Sequence, residues 1–431
     1  MSVMTKPASM PQSMLQTRAT SPIAIPPSPL HRATRAIPLL LAACLAIRLC
    51  FTSVFPGPDE LEHLSYAAIL QESHQFLMRF ETAVTLYRSD ITLWSDRVNY
   101  IGHPPPYYHY IAAFLDRALP MTEAVGRVRL ASLTLVLAGL AAALLGGLRA
   151  FKAYPALAAA FAIGIAWCPE ILSVANYVNN DALGILAGGI AYWGAVRQGS
   201  PGRAAMATGL ALGLWAKPNA GLEIGIFTGL LWLLVPPLLT RRRDWRTFAA
   251  LALGAAIGIL PTIPIVLRYG AIVPVAAETV WNVRSMTSFG DYWPVFLAGI
   301  GQTWGYFTFA RWPMPDAAAW ARTIACWTLL TGALAGGLLA TRRLQDIEAR
   351  IAAAAALTFA IVLPLHFGFS ATRLGFSIPA ASFRYYLPLW PGLLHAVLFL
   401  ATPTRPRWTR PAILAAAALI LALGYLVADN G

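Results

Sequence analysis

The sequence predicts an all-α polytopic membrane protein, and three observations carry that reading. The 431 residues are 58% hydrophobic, with mean hydropathy +0.59. Only 12% are charged, about half the share of a soluble domain, so there is too little polar surface to cover several soluble domains. The apolar residues form long continuous runs split by short arginine-bearing loops, rather than the alternation of a β-barrel. The same composition excludes disorder over most of the chain.

Basic residues outnumber acidic ones, 32 to 19. In a soluble protein this excess would suggest nucleic acid. Here the cations lie between apolar runs, which speaks for membrane topology and against a nucleic-acid partner. Cys44, Cys50, Cys168 and Cys326 lie in or beside apolar runs, with no disulfide framework or zinc spacing.

Residues 1–36, rich in Pro, Ser and Thr, read as a disordered cytoplasmic tail, and 37–431 as the membrane domain. The first apolar run, 37–55, reads as a span rather than a cleaved signal, because the tail is long and Arg48 interrupts the run. Arg48 is expected to face the bundle or a polar cavity. A span needs roughly 20 apolar residues. Candidates are 37–55, 128–148, 156–174, 182–196, 204–216, 219–239, 248–267, 319–340, 351–367, 385–401 and 411–427. That is about eleven by the length criterion, the short 204–216 being the weakest. With a cytoplasmic tail, alternate loops hold Arg149 and Lys152; Arg197 and Arg203; Arg241, Arg242, Arg243 and Arg246; Arg342, Arg343 and Arg350; and Arg405, Arg407 and Arg410. Each obeys the positive-inside rule.

This register requires that 104–119 not span. The segment opens on Pro104, Pro105 and Pro106 and carries Asp116 and Arg117. It reads as an interfacial helix with Tyr107, Tyr108 and Tyr110 at headgroup level. Two large outer loops remain, 56–127 and 268–318, and function is expected there.

The first outer loop begins Pro56-Gly57-Pro58-Asp59-Glu60-Leu61-Glu62-His63. Asp59 with Glu62 fits a capping box for an amphipathic helix over 61–77. A capping carboxylate is also rigidly held, so the two roles are compatible. Three features fall at the same level: His103-Pro104-Pro105-Pro106-Tyr107-Tyr108, Asn179-Asn180-Asp181, and Ser382-Phe383-Arg384-Tyr385-Tyr386-Leu387-Pro388. Each has a structural explanation as a proline turn, a helix cap or an interface anchor. Arg384, however, lies on the face that charge bias disfavours, which points to an anionic partner. Lys217, before Pro218, fits a snorkelling lysine or a phosphate contact.

Carboxylates from two loops and cations from two others suit transfer of a sugar from a lipid-linked phosphate. The leaving phosphate needs cations but no general acid. The acceptor needs one carboxylate base, and a single displacement inverts the anomeric carbon. A glycosidase would need a second carboxylate as acid.

At these residues the chain resembles the integral-membrane GT-C glycosyltransferases, such as the protein O-mannosyltransferases and the aminoarabinose transferase of lipid A. Pro58-Asp59-Glu60 with His63 resembles their Asp-Glu signature, and His103-Pro104-Pro105 with Tyr107-Tyr108 their Pro-Pro-x-Tyr-Tyr segment. Asn180-Asp181 resembles the second acidic motif; Lys217-Pro218 and Arg384-Tyr385 with Pro388 resemble the later Lys and Arg-Tyr motifs. The resemblance implies a GT-C-like bundle with interfacial helices in the first outer loop and a polyprenyl-phosphate-sugar donor. It implies Asp59 as catalytic base, with Glu60 and His63 supporting it or the acceptor. Asp181 would shape the pocket or hold a divalent metal, which some members need. Lys217 and Arg384 would hold the lipid phosphate. The acceptor is then a glycan, lipid or protein at the outer face of the inner membrane.

Glu60-x-x-His63 with His103 and His109 lacks the recurrent ligand spacing of a zinc site. Trp281, Trp293, Trp304, Trp312 and Trp320 read as an interface belt or the lining of a sugar or lipid groove. Asp291 and Arg311 are secondary candidates. Glu223, inside an expected span, is a functional hypothesis or a partner of Arg48. The alternative function is a transporter or lipid flippase. It is disfavoured because no internal repeat is visible and the polar residues cluster at one face rather than at mid-depth.

Overall fold

The computed structural model describes Glu60, His63, Leu64, Ala67, Tyr108, Ile111, Ala112, Phe114 and Ala118, and residues 124–235, 244–270, 288–303, 317–373 and 382–402. The expected tail, the first and last spans, Asp59, His103, Tyr107 and most of both large loops lie outside the described residues. Among the described residues there is no strand.

The helices are α1 (Ala124–Ala150), α2 (Pro155–Ala166), α3 (Pro169–Ala175), α4 (Asp181–Arg197), α5 (Gly199–Ala216) and α6 (Pro218–Leu233). They continue as α7 (Trp245–Ile259), α8 (Ile263–Tyr269), α9 (Phe289–Thr303), α10 (Ala317–Ala340), α11 (Ile347–Arg373) and α12 (Trp390–Phe399). A 3-10 segment, Phe383–Leu389, precedes α12.

Four stretches are long and apolar enough to cross a bilayer: Gly126–Ala150, Trp245–Leu267, Arg322–Arg343 and Ile347–Thr372. The chain is an integral membrane protein. Some expected spans are interrupted. The span 156–174 breaks between α2 and α3, where Cys168 is extended (φ −63°, ψ 117°), because a residue before proline avoids helical geometry. The expected 204–216 starts earlier, at Gly199. Gln198 (φ 53°) and Gly199 (φ 64°) take left-handed conformations there, turning the chain directly from α4 into α5. The expected 385–401 begins as the 3-10 segment, in which Pro388 cannot donate to a helical ladder.

α4 is the centre of the bundle, touching α1, α5, α6, α12 and the 3-10 segment. Lipid offers no hydrophobic drive between helices, so small residues supply the contact by letting backbones approach. A Cβ on Gly189 would strike the Gly139 backbone, and one on Gly188 would strike the Pro388 carbonyl. The second contact lets the segment carrying Arg384 lie directly on the helix carrying Asp181.

Candidate functional site

One end of the bundle gathers the polar chain. The turn between α3 and α4, residues 176–180, is clasped by residues from the first large loop and from α1. The Glu60 carboxylate accepts from Arg129 Nε at 2.7 Å and Nη2 at 2.8 Å, and from the Val178 amide at 2.9 Å. Glu60 is 1% exposed and Arg129 4%. Such a bidentate pair, with a third hydrogen bond on the carboxylate, meets the conditions under which buried charge is tolerated.

Tyr108, expected at headgroup level, is instead fully buried. The reason is its hydroxyl, which lies 2.6 Å from Ser132 Oγ and accepts the Asn179 amide at 2.9 Å. With its polar tip satisfied internally, the ring needs no water-facing position.

The turn leads into Asp181, the first residue of α4, where the helix N-terminus favours negative charge. Asn179 Oδ1 accepts the Asp181 amide at 2.7 Å, while Asn180, the N-cap residue of α4, makes no side-chain cap bond. Asn180 Nδ2 donates to the Ala216 carbonyl at 3.0 Å, tying the turn to the end of α5. Lys217 follows. It is extended (φ −173°, ψ 156°) between α5 and α6, with Pro218 starting α6. Its ammonium pairs with Asp181 Oδ1.

Arg384 reaches the same carboxylate from the 3-10 segment, its Nε 3.8 Å from Asp181 Oδ2. Ser382 Oγ accepts the Arg384 amide at 3.4 Å and starts that segment. Tyr385 lies under both cations: Lys217 Nζ is 4.7 Å from its ring centre and the Arg384 guanidinium 5.2 Å. Arg384 Nη2 also donates to the Tyr385 hydroxyl at 3.3 Å. Asp181, Lys217 and Arg384 are 3%, 8% and 7% exposed. Two cations from separate elements therefore converge on one carboxylate, an arrangement suited to receiving an anion.

His63 completes the described polar wall. It is buried and edge-on to Tyr108, with ring centres 6.2 Å apart. Burial, then Arg384, then Lys217, hold its pKa down to about 3. At neutral pH the imidazole is uncharged. Glu223, on α6, is 1% exposed and within the field of Lys217. Its oxygens accept no hydrogen bond among the described residues.

Every described candidate (Glu60, His63, Tyr108, Asn180, Asp181, Lys217, Arg384 and Tyr385) falls at this end. Asp59 and Tyr107 are the chain neighbours of Glu60 and Tyr108 and lie outside the described residues. A divalent metal on Asp181 does not fit the described residues. Both carboxylate oxygens face cations, and no group of three or more His, Cys, Asp or Glu is placed to hold an ion among them. Asp291 serves as a cap partner: Ser288 Oγ donates to it at 2.7 Å and accepts its amide at 3.2 Å. Trp293 and Trp320 are 37% and 63% exposed. Arg311 and the other belt tryptophans lie outside the described residues.

Sequence reasoning missed Arg129 and Ser132. Arg129 carried the signal that singled out Arg384, an arginine at the end of a span that charge bias disfavours. Ser132 carried none.

No family model matches the chain, and no curated protein matches it in sequence. Among solved structures it is similar to the oligosaccharyltransferase of Archaeoglobus fulgidus in the apo form, at 13% identity and TM-score 0.53. That likeness covers 94% of this chain and 56% of that one, so the chain spans little more than half the enzyme's length. It is also similar to ArnT from Cupriavidus metallidurans in the apo state, at 16% identity and TM-score 0.39, covering 85% of this chain and 76% of that one. ArnT bound to undecaprenyl phosphate gives 16% identity and TM-score 0.40, covering 88% and 78%. ArnT and the oligosaccharyltransferase are both GT-C glycosyltransferases. The chain has the polytopic GT-C membrane fold.

Proposed function

We propose that this chain, built on the GT-C fold, is a glycosyltransferase that moves a sugar from a polyprenyl-phosphate donor to an acceptor at the outer face of the inner membrane. The observation that carries the reading is the meeting of Lys217 and Arg384 on Asp181. ArnT, similar in fold, has been solved with undecaprenyl phosphate, and the motif order in the sequence supports the same donor class.

Asp59 takes the proton of the acceptor as that group attacks the anomeric carbon, inverting its configuration. The bond from that carbon to the phosphate oxygen breaks, and the electron pair leaves on the lipid phosphate. Lys217 and Arg384 stabilise that charge where it develops. Glu60 acts one residue away, as the anchor that holds the backbone of Asp59. Neutral His63 hydrogen-bonds the acceptor or the sugar without adding charge. No step requires a metal on Asp181, whose role is counter-ion to the two cations.

The test is single-turnover transfer by the purified full chain in nanodiscs, after lipid extraction and mass spectrometry identify the copurifying polyprenyl-phosphate sugar. Asp59→Asn is expected to abolish transfer while retaining the donor. Full transfer by that variant removes Asp59 from the mechanism.

A further inference from the structure

Glu223 is a buried carboxyl that the proposed reaction does not use. It lies on α6, six residues after Lys217, and is 1% exposed. Ala220 and Phe227 share its face at helical spacing, and that face looks into the bundle. A Cβ on Gly184 of α4 would lie 3.5 Å from Ala220 Cβ, and one on Gly392 of α12 would lie 3.6 Å from the Phe227 ring. Glu223 therefore sits among packed helices, about 9 Å along the α6 axis from Lys217. Helical side chains tilt towards the helix N-terminus, so Glu223 leans towards the turn that carries Lys217. Neither of its oxygens has a hydrogen-bond partner among the described residues.

A buried carboxylate without hydrogen bonds is relieved only by a cation. Among the described residues the cation in its field is Lys217. Tyr386 also feels Glu223, but its hydroxyl is placed 2.8 Å from His366 Nδ1. Lys217 pairs with Asp181 Oδ1, and Arg384 lies 3.8 Å from Asp181 Oδ2. One carboxylate against two cations leaves one positive charge, and the Glu223 carboxylate cancels it. Sugar transfer leaves the electron pair of the broken bond on the lipid phosphate, so the spent lipid carries more charge than the donor. Cations that stabilise this charge also retain it. A carboxylate drawing on Lys217 opposes the retention.

We infer that Glu223 is a positioning residue for Lys217, whose ammonium it contests with the lipid phosphate, so that the spent polyprenyl phosphate is released. The inference rests on the glycosyl-transfer reading and deepens it by giving product release its own residue. Asp181 orders the two cations at the mouth of the site; Glu223 limits how tightly one of them grips.

The test uses the full chain in nanodiscs with a 55-carbon polyprenyl phosphate as probe. Glu223→Gln keeps the shape of the side chain and is expected to tighten probe binding about tenfold, the scale on which one nearby charge acts. Damage to the fold would weaken binding instead. In a Lys217→Gln background the same substitution should leave affinity within about twofold, because the two residues act as a pair. Steady-state transfer by Glu223→Gln should be slower and preceded by a burst, as release becomes limiting. Unchanged or weaker binding in Glu223→Gln, with binding still dependent on Lys217, overturns the role of Glu223 and leaves the donor reading standing. Tightening that persists without Lys217 likewise overturns the pairing. Probe binding that ignores Lys217 overturns both readings.

Discussion

At the site end of the bundle, Glu60, Arg129, Asp181, Lys217 and Arg384 are each no more than 8% exposed, and they pair between stretches distant in sequence. At the opposite end, Arg203 pairs with Asp244 at 3.3 Å and Arg343 with Asp346 at 2.7 Å, with side chains 20% to 45% exposed. Among the described residues there, buried His395 joins the Tyr192 hydroxyl at 2.9 Å and the Glu348 carbonyl at 3.1 Å, with no ion pair. Charge at the opposite end is solvated, as the positive-inside reading of these loops expects. Charge at the site end has been taken out of water at a cost of several kcal/mol per ion. That cost is explicable where the charges organise a site.

The largest break in this comparison should come from Arg129→Ala. It strands Glu60 and should cost about 3–5 kcal/mol, read as a lowered Tm in detergent. Replacing both partners, Glu60→Leu with Arg129→Met, should recover much of the stability yet leave transfer low, because the backbone of Asp59 has lost its anchor. Recovery of full transfer in the pair would reduce the clasp to a packing feature. Next in size, Lys217→Gln or Arg384→Gln should weaken binding of a polyprenyl phosphate by about one to two orders of magnitude, the scale of a charged hydrogen bond.

Gly188→Val should cost about 1–3 kcal/mol through overpacking. It should weaken donor loading together with transfer, since it pushes Pro388 and the Arg384 segment, which the proposed function places on the donor phosphate, off α4. His63 gives a pH signature. Its pKa is about 3 when folded against an ordinary imidazole value of 6.5, so between these limits the unfolded chain binds the extra proton. Stability should therefore fall as pH drops from about 6.5 towards 3. His63→Asn should flatten that limb of a Tm-against-pH curve; an unchanged slope would refute the assignment. The smallest effect belongs to the opposite end, where Arg343→Ala should stay within about 0.5 kcal/mol.

Much of this contrast could be read from the sequence. Apolar runs and arginine-bearing loops placed the helices, because a bilayer demands both. Asp181, Lys217 and Arg384 could be grouped because each lies at the outer end of an expected span. The breaks were harder. Pro169 and Pro388 interrupt expected spans, but hydropathy averages over a window and does not sense a missing amide donor. Tyr108 was misplaced because an interfacial tyrosine and a buried one look alike until the partners, Ser132 and Asn179, are known. Arg129 went unnoticed because its partner, Glu60, lies 69 residues away in the chain.

The turn at Lys217 has a further consequence for depth. α5 has 18 residues and α6 has 16, giving axial lengths of roughly 27 and 24 Å at about 1.5 Å per residue. Both fall short of a hydrocarbon layer of about 30 Å, a mismatch of the kind that a bilayer accommodates by thinning locally. On the proposed function, a long-chain donor then reaches the turn by sliding sideways in its own leaflet. The work of hoisting its tail into water never arises.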